Sequence, residues 1–186
     1  MLKIVNAPNK ILTSPVRKVV KFDKKLALLV KEMKQTLSIQ VDPQGVGLAA
    51  PQVGVDLALF IMKPYEKAKT EVIINPKIIE IVKSKSTSSF AKASADKPRG
   101  KKPATKLEGC LSVPKIWSPL TRPQKVLLEY QDLTGTIKQE WFSGFEAIIV
   151  QHEVDHLKGV LFTQRALEQN SGLFEEKEGE LKKIEY

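Results

Sequence analysis

The only two histidines of this 186-residue chain stand four positions apart, in His152-Glu153-Val154-Asp155-His156. On a helix that spacing puts both imidazoles on one face, a turn apart, where they can grip one cation together. Glu153 is turned about 100° from His152 around the helix axis, so its carboxylate can reach a water in the ion's open position. A chain with this motif must fold so that the histidine face of the helix turns inward, towards a further ligand from elsewhere. Cys110, the single cysteine, offers a thiolate, although taken alone it reads more readily as a small buried hydrophobe. One Cys and two His cannot complete a closed Cys/His tetrahedron, which leaves a position for water unless a carboxylate fills it. The helical spacing with its intervening Glu argues against a blue-copper centre built from the same residue types.

The segments around the motif read clearly. Ser143-Gly144-Phe145-Glu146 has the S-x-x-E form of a capping box at the start of the histidine helix, and Gly159 stands where that helix should end. Lys125 to Tyr130 and Thr136 to Phe142 alternate as two strands, with Asp132 to Gly135 as the turn between them. Upstream, Asp23 precedes Leu26, Leu29, Val30, Met33 and Leu37, the apolar spacing of one helical face. Leu57 to Met62 and Glu71 to Val82 read as strands, the second with an edge or a bend at Pro76. From Thr163 onward two short helical patterns split near Asn170 to Gly172, so 166–186 is expected to be a helical tail to a catalytic unit spanning 1–165.

Charge is unevenly placed. The chain carries a formal +9, and most of it falls in one stretch, where Lys83, Lys85, Lys92, Lys97, Arg99, Lys101, Lys102 and Lys106 face only Asp96. A basic segment poor in apolar residues reads first as a solvated loop and only second as an RNA contact. Residues 84–103 are therefore expected to form a mobile insertion. A lone cysteine allows no intramolecular disulfide, the first residues lack the pattern of a secretion leader, and no apolar run approaches the roughly 18 residues of a membrane span. The expectation is a soluble cytoplasmic protein with no membrane partner.

Three blocks, Gly45-Val46-Gly47-Leu48-Ala49-Ala50-Pro51-Gln52, Glu108-Gly109-Cys110-Leu111-Ser112 and Gln151-His152-Glu153-Val154-Asp155-His156-Leu157, together resemble the peptide deformylases, in that family's order. The resemblance implies an α+β fold in which antiparallel or mixed strands pack around a central helix carrying H-E-x-x-H. It also implies removal of the formyl group from the initiator methionine of nascent polypeptides, with release of formate. Cys110, His152 and His156 would hold one divalent metal, Fe²⁺ in the family's usual form, with Zn²⁺, Ni²⁺ or Co²⁺ able to occupy the same ligands. Glu153 would move protons, Gln52 and the backbone N–H of Leu111 would stabilise the oxyanion, and Gly47 belongs with this catalytic set. Gly45, Val46, Gly109 and Ile149 would bind substrate, Val46 and Ile149 as part of the methionine pocket. Glu108 and Arg122 would form an ion pair, either bracing the Cys110 loop or lying as a plain pair on the surface. The partners implied are N-formylmethionyl nascent peptides and a transient ribosome contact, with no specific nucleic acid, for a monomeric enzyme.

The spacing from Asn75 to Glu108 exceeds that usual in the family, and the excess coincides with the basic segment. Two other readings share parts of the pattern: a general H-E-x-x-H metallopeptidase or amidase, and a basic ribosome-associated protein with a structural metal. If the insertion is solvated loop, deleting Phe90 to Lys102 leaves the thermal melting temperature nearly unchanged. A fall of many degrees in a melting scan would mean that the segment packs.

Overall fold

The computed structural model describes residues 1–41, 44–82 and 106–185. The basic segment 84–103, with the mobility expected of it, lies outside the described residues.

Helix α1 (Lys24–Ser38) starts where Asp23 caps it, one carboxylate oxygen accepting the backbone N–H groups of Lys25 and Leu26 at 3.0 Å each. Its expected apolar face is the buried one, with Leu26, Val30, Met33 and Leu37 closing over Leu48, Leu59, Ile61 and Ile74. Those four belong to strands β1 (Gly47–Ala49), β2 (Leu59–Met62) and β3 (Glu71–Val82). Next among the described residues come β4 (Lys106–Cys110), β5 (Val113–Leu120), β6 (Lys125–Gln131) and β7 (Ile137–Ser143). Helices α2 (Phe145–Leu157) and α3 (Phe162–Glu168) follow, then β8 (Phe174–Lys177) and β9 (Glu180–Lys183).

Two sheets form, ordered β1-β2-β3-β6-β7 and β4-β5-β8-β9. Every strand pairing among the described residues is antiparallel. The α+β class is as expected, and so is the β6–β7 hairpin. At Pro76 the bend is found: β3 pairs with β2 only as far as Ile74, Asn75 takes a positive φ of 52°, and the β3–β6 register shifts between Ile74 and Lys77. A residue without an N–H is tolerated there because no β2 partner stands opposite it.

Helix α2 is apolar on more than one side, and a helix of that kind has to be enclosed. Ala147, Ile149, Val150, Val154 and Leu157 pack with Phe60, Met62, Ile73, Val126, Leu128 and Phe142 of the five-stranded sheet. The expected capping box does not form. Ser143 is still in β7, paired with Lys125, so the strand holds its backbone clear of the helix start. The chain turns from strand to helix in the single residue Gly144, at φ 58° and ψ −124°, a conformation that needs glycine. At the other end the expectation holds. Gly159 (φ 72°) lets its own N–H reach the carbonyl of His156 at 3.1 Å and that of Val160 reach Asp155 at 2.9 Å, the paired bonds of a Schellman motif.

The helical tail is also corrected. Only α3 is helical; 174–183 form the β8–β9 hairpin, turning at Glu178 and Gly179, both at positive φ. A residue-plus-glycine turn with two positive φ values selects a two-residue hairpin, and Phe174 pairing with Trp117 of β5 outweighs the weak helical preference of a Glu/Lys-rich stretch.

A Cβ at Gly159 would sit 2.6 Å from the backbone nitrogen of Ser14, in addition to the unfavourable φ. Gly159→Ala is therefore expected to destabilise the fold by about 1–3 kcal/mol, read as a lower midpoint in urea unfolding.

Candidate metal centre

Helix α2 carries His152, Glu153 and His156 with their imidazoles edge to face, ring centroids 5.0 Å apart. Cys110, the last residue of β4, follows a register shift in the β4–β5 ladder between Gly109 and itself. The bulge re-aims its side chain, and Cys110 Sγ lies 3.2 Å from His156 Nε2. One donor atom from each of Cys110, His152 and His156 falls within 4.8 Å of the others. The three expected ligands thus converge, although 41 residues lie between Cys110 and His152. Burial alone would raise the Cys110 thiol, but the two imidazoles outweigh it and hold the thiol well below its ordinary value. A thiolate and two imidazoles within reach of one point suit a borderline divalent ion.

Glu153 stands beside this group, 3% exposed, with its Oε2 lacking any partner among the described residues. Burial pushes its carboxyl up to about 7, while the imidazoles pull the other way. Gly47 packs directly on that carboxylate, and any Cβ at Gly47 would collide with it. Gln52 lies in the 3-10 turn Ala50–Val53. Its side-chain oxygen accepts the Ala49 N–H at 2.8 Å, and its amide nitrogen points at Cys110 Sγ from 3.5 Å.

Behind the ligands runs a buried chain of charges. Glu108 accepts from Arg122 through both oxygens, at 2.7 and 3.1 Å, and its Oε2 also faces His152 Nδ1 at 3.3 Å. Arg122 donates in turn to Asp155 at 2.9 Å, and Arg165 of α3 clamps both oxygens of Asp155 at 3.1 and 2.7 Å. The expected Glu108–Arg122 pair is present and nearly inaccessible, its side chains 6% and 7% exposed. Asp155 and Arg165 went unnoticed in the sequence. Asp155 sits three residues after His152, one turn on, which is the signal that it shares that side of the helix.

A cavity of about 380 Å³ opens over the centre. Gly45, Val46, Gly47, Gln52, Gly109, Cys110, Leu111, Ile149, His152 and Glu153 all line it, whereas His156 lies behind the wall. The sequence reading missed Gln44, Pro64, Lys106, Leu107, Trp117, Phe145 and Ile148. Phe145 and Ile148 were legible in principle, since with Ile149 and His152 they make one stripe at i, i+3, i+4 and i+7. Lys106, with its Nζ 4.9 Å from the Phe145 ring centroid, and Trp117 required the fold. Strands β1 and β4 are each the outermost of their sheet, and residues of both line this wall.

Comparison with known proteins agrees with this geometry. Residues 1–171 match the family described as polypeptide deformylase. Peptide deformylase 1 of Bacillus cereus is 36% identical over 165 residues, covering 89% of this chain and 92% of its own. The peptide deformylase of Borreliella burgdorferi is 38% identical, covering 87% and 85%. Among solved structures, the peptide deformylase of Thermotoga maritima superposes with a TM-score of 0.70 at 31% identity, over 89% of this chain and 97% of that one. That of Synechococcus elongatus in complex with actinonin gives 0.71 at 32% identity, over 88% and 79%. With a match over nearly its whole length, the chain belongs to the polypeptide deformylase family.

Proposed function

We propose that this chain hydrolyses the formyl amide at the N-terminus of nascent polypeptides that begin with formyl-methionine, releasing formate and a free α-amine. One observation carries the reading: a buried carboxylate oxygen without a partner, that of Glu153, stands beside a Cys/His/His group at the floor of a cavity. Cys110, His152 and His156 would hold a single divalent ion, Fe²⁺ by likeness to the family, with Zn²⁺, Ni²⁺ and Co²⁺ fitting the same donors. Bound there, the ion would polarise the formyl oxygen and make water acidic enough to lose a proton near neutrality.

The remaining work falls to the chain. Glu153 takes the proton from the attacking water and returns it to the amine nitrogen as the C–N bond breaks. A carboxyl raised by burial is suited to both halves of that task. Gln52 is oriented by Ala49 to donate to the developing oxyanion, and the Leu111 N–H is the second donor in this reading. Gly47 permits the close approach of backbone to Glu153. An extended substrate can lie between the unpaired edges of β1 and β4, along Gly45, Val46 and Gly109. Its methionine side chain then fits among Val46, Ile148 and Ile149. Because the substrate is a nascent chain, the reading includes a transient ribosome contact in the cytoplasm by a monomeric enzyme, without a specific nucleic-acid or membrane partner.

Protein purified without oxygen is expected to release formate from a formyl-Met peptide and to leave the acetylated peptide intact. Cleavage of internal peptide bonds with formyl-Met untouched would instead mark a general metallopeptidase. Glu153→Ala should retain fold and metal content while activity falls by about 10²- to 10⁴-fold; an equal loss of metal would assign Glu153 to the ligand set. Glu108→Ala removes the acceptor facing His152 Nδ1 and is expected to weaken metal binding by about 10- to 100-fold, measured by competition with a chelator.

A further inference from the structure

Gly109, next to Cys110, stands directly opposite Trp117 in the β4–β5 ladder, so both residues point to the same face of the sheet. With no side chain on Gly109, the indole lies across β4. A Cβ built there would meet ring atoms Cε3 and Cζ3 at 2.8 Å. The same half-buried indole lines the cavity over the metal centre. Its Nε1–H donates to Glu176 Oε2 at 2.8 Å. Glu176 belongs to β8, which extends the sheet on the far side of β5 with Phe174 opposite Trp117. The C-terminal hairpin thus reaches the wall of the site through the ladder to β5 and through this one side-chain hydrogen bond.

We propose that Trp117 contacts the side chain of a substrate residue downstream of formyl-methionine, favouring aromatic groups there, and that Glu176 is a positioning residue that holds the indole in place. The inference rests on the deformylase reading and adds a selectivity to it. β4 is an edge strand, and a peptide added to that edge brings one of its residues opposite Gly109. The side chain of that residue shares the face of Trp117. Since Gly109 interposes nothing, the indole is the next surface it meets. Aromatic pairs gain beyond simple burial, and a ring held at its N–H loses less freedom on making the contact than one free to swing. Glu176→Gln keeps an acceptor for the indole, whereas Glu176→Ala removes it.

The test is formate release from metal-loaded protein with formyl-Met tripeptides carrying Phe at the second or the third position, against the all-Ala counterpart. Phe at one of the two positions is expected to raise kcat/KM by about 2- to 12-fold, mainly through KM. Glu176→Ala and Trp117→Ala should abolish that advantage, and Glu176→Gln should retain it. Should Trp117→Ala fold poorly, the Glu176 pair decides, because its members differ by one acceptor at the periphery of the fold. Equal kcat/KM for all three peptides, or an advantage undiminished in Glu176→Ala, overturns the inference while leaving the deformylase reading intact. Release of formate from none of them overturns both.

Discussion

A guanidinium almost sealed from water, held between carboxylates of two different elements, sets the distance on which the metal centre depends. Arg122 ties Glu108 of β4 to Asp155 of α2, and each of these three side chains is under a tenth exposed. Buried charges are costly unless closely paired. Here two carboxylates meet two guanidinium groups, counting Arg165, so the cluster is neutral overall. Its value is geometric, because taking away Arg122 would leave the buried Glu108 without its guanidinium partner. The same cluster decides how Cys110, two residues beyond Glu108, approaches the imidazoles of α2. His152 is drawn into the arrangement directly through its Nδ1, which leaves Nε2 for an ion.

Beside that rigid cluster, polar groups of the centre itself are left incompletely satisfied. Among the described residues only Ser112 Oγ, Glu153 Oε2 and His156 Nδ1 are buried side-chain polar atoms without a partner, and two of the three belong to the site. A folded chain tolerates few such groups. Their concentration here is the mark of a place that trades stability for chemistry. Gly47 is the counterpart in the backbone. Any larger residue there would have to displace the carboxylate that needs to stand in that space.

Much of this was legible in the residues. The helix bearing the two histidines, its glycine stop, the β6–β7 hairpin and the capped α1 all follow from periodicity and local turn chemistry, which act over a few residues. The misreadings have a common cause, since each depended on what the segment lies against. Ser143 looks like a cap until β6 is seen to hold it in a strand, and the Glu- and Lys-rich tail looks helical until Phe174 finds Trp117 across the ladder. Cys110 was a candidate as the single thiol and gained its place from family likeness, because nothing near it in the chain says that it meets His156. Trp117 and Lys106 were missed for the same reason: cross-strand neighbours are fixed by register, and register is set by the whole sheet.

The two terminal strands that both line the cavity, β1 and β4, carry a consequence for breadth of use. A guest gripped through main-chain amides and carbonyls is held by what all polypeptides share, whatever letters they spell. Such a cleft suits a processing step applied across a proteome, where one anchor group at the start must be recognised and nearly everything after it tolerated. In that state the guest would add main-chain pairing between two sheets already linked by the Gln52 side chain, in the turn after β1, and Cys110 of β4.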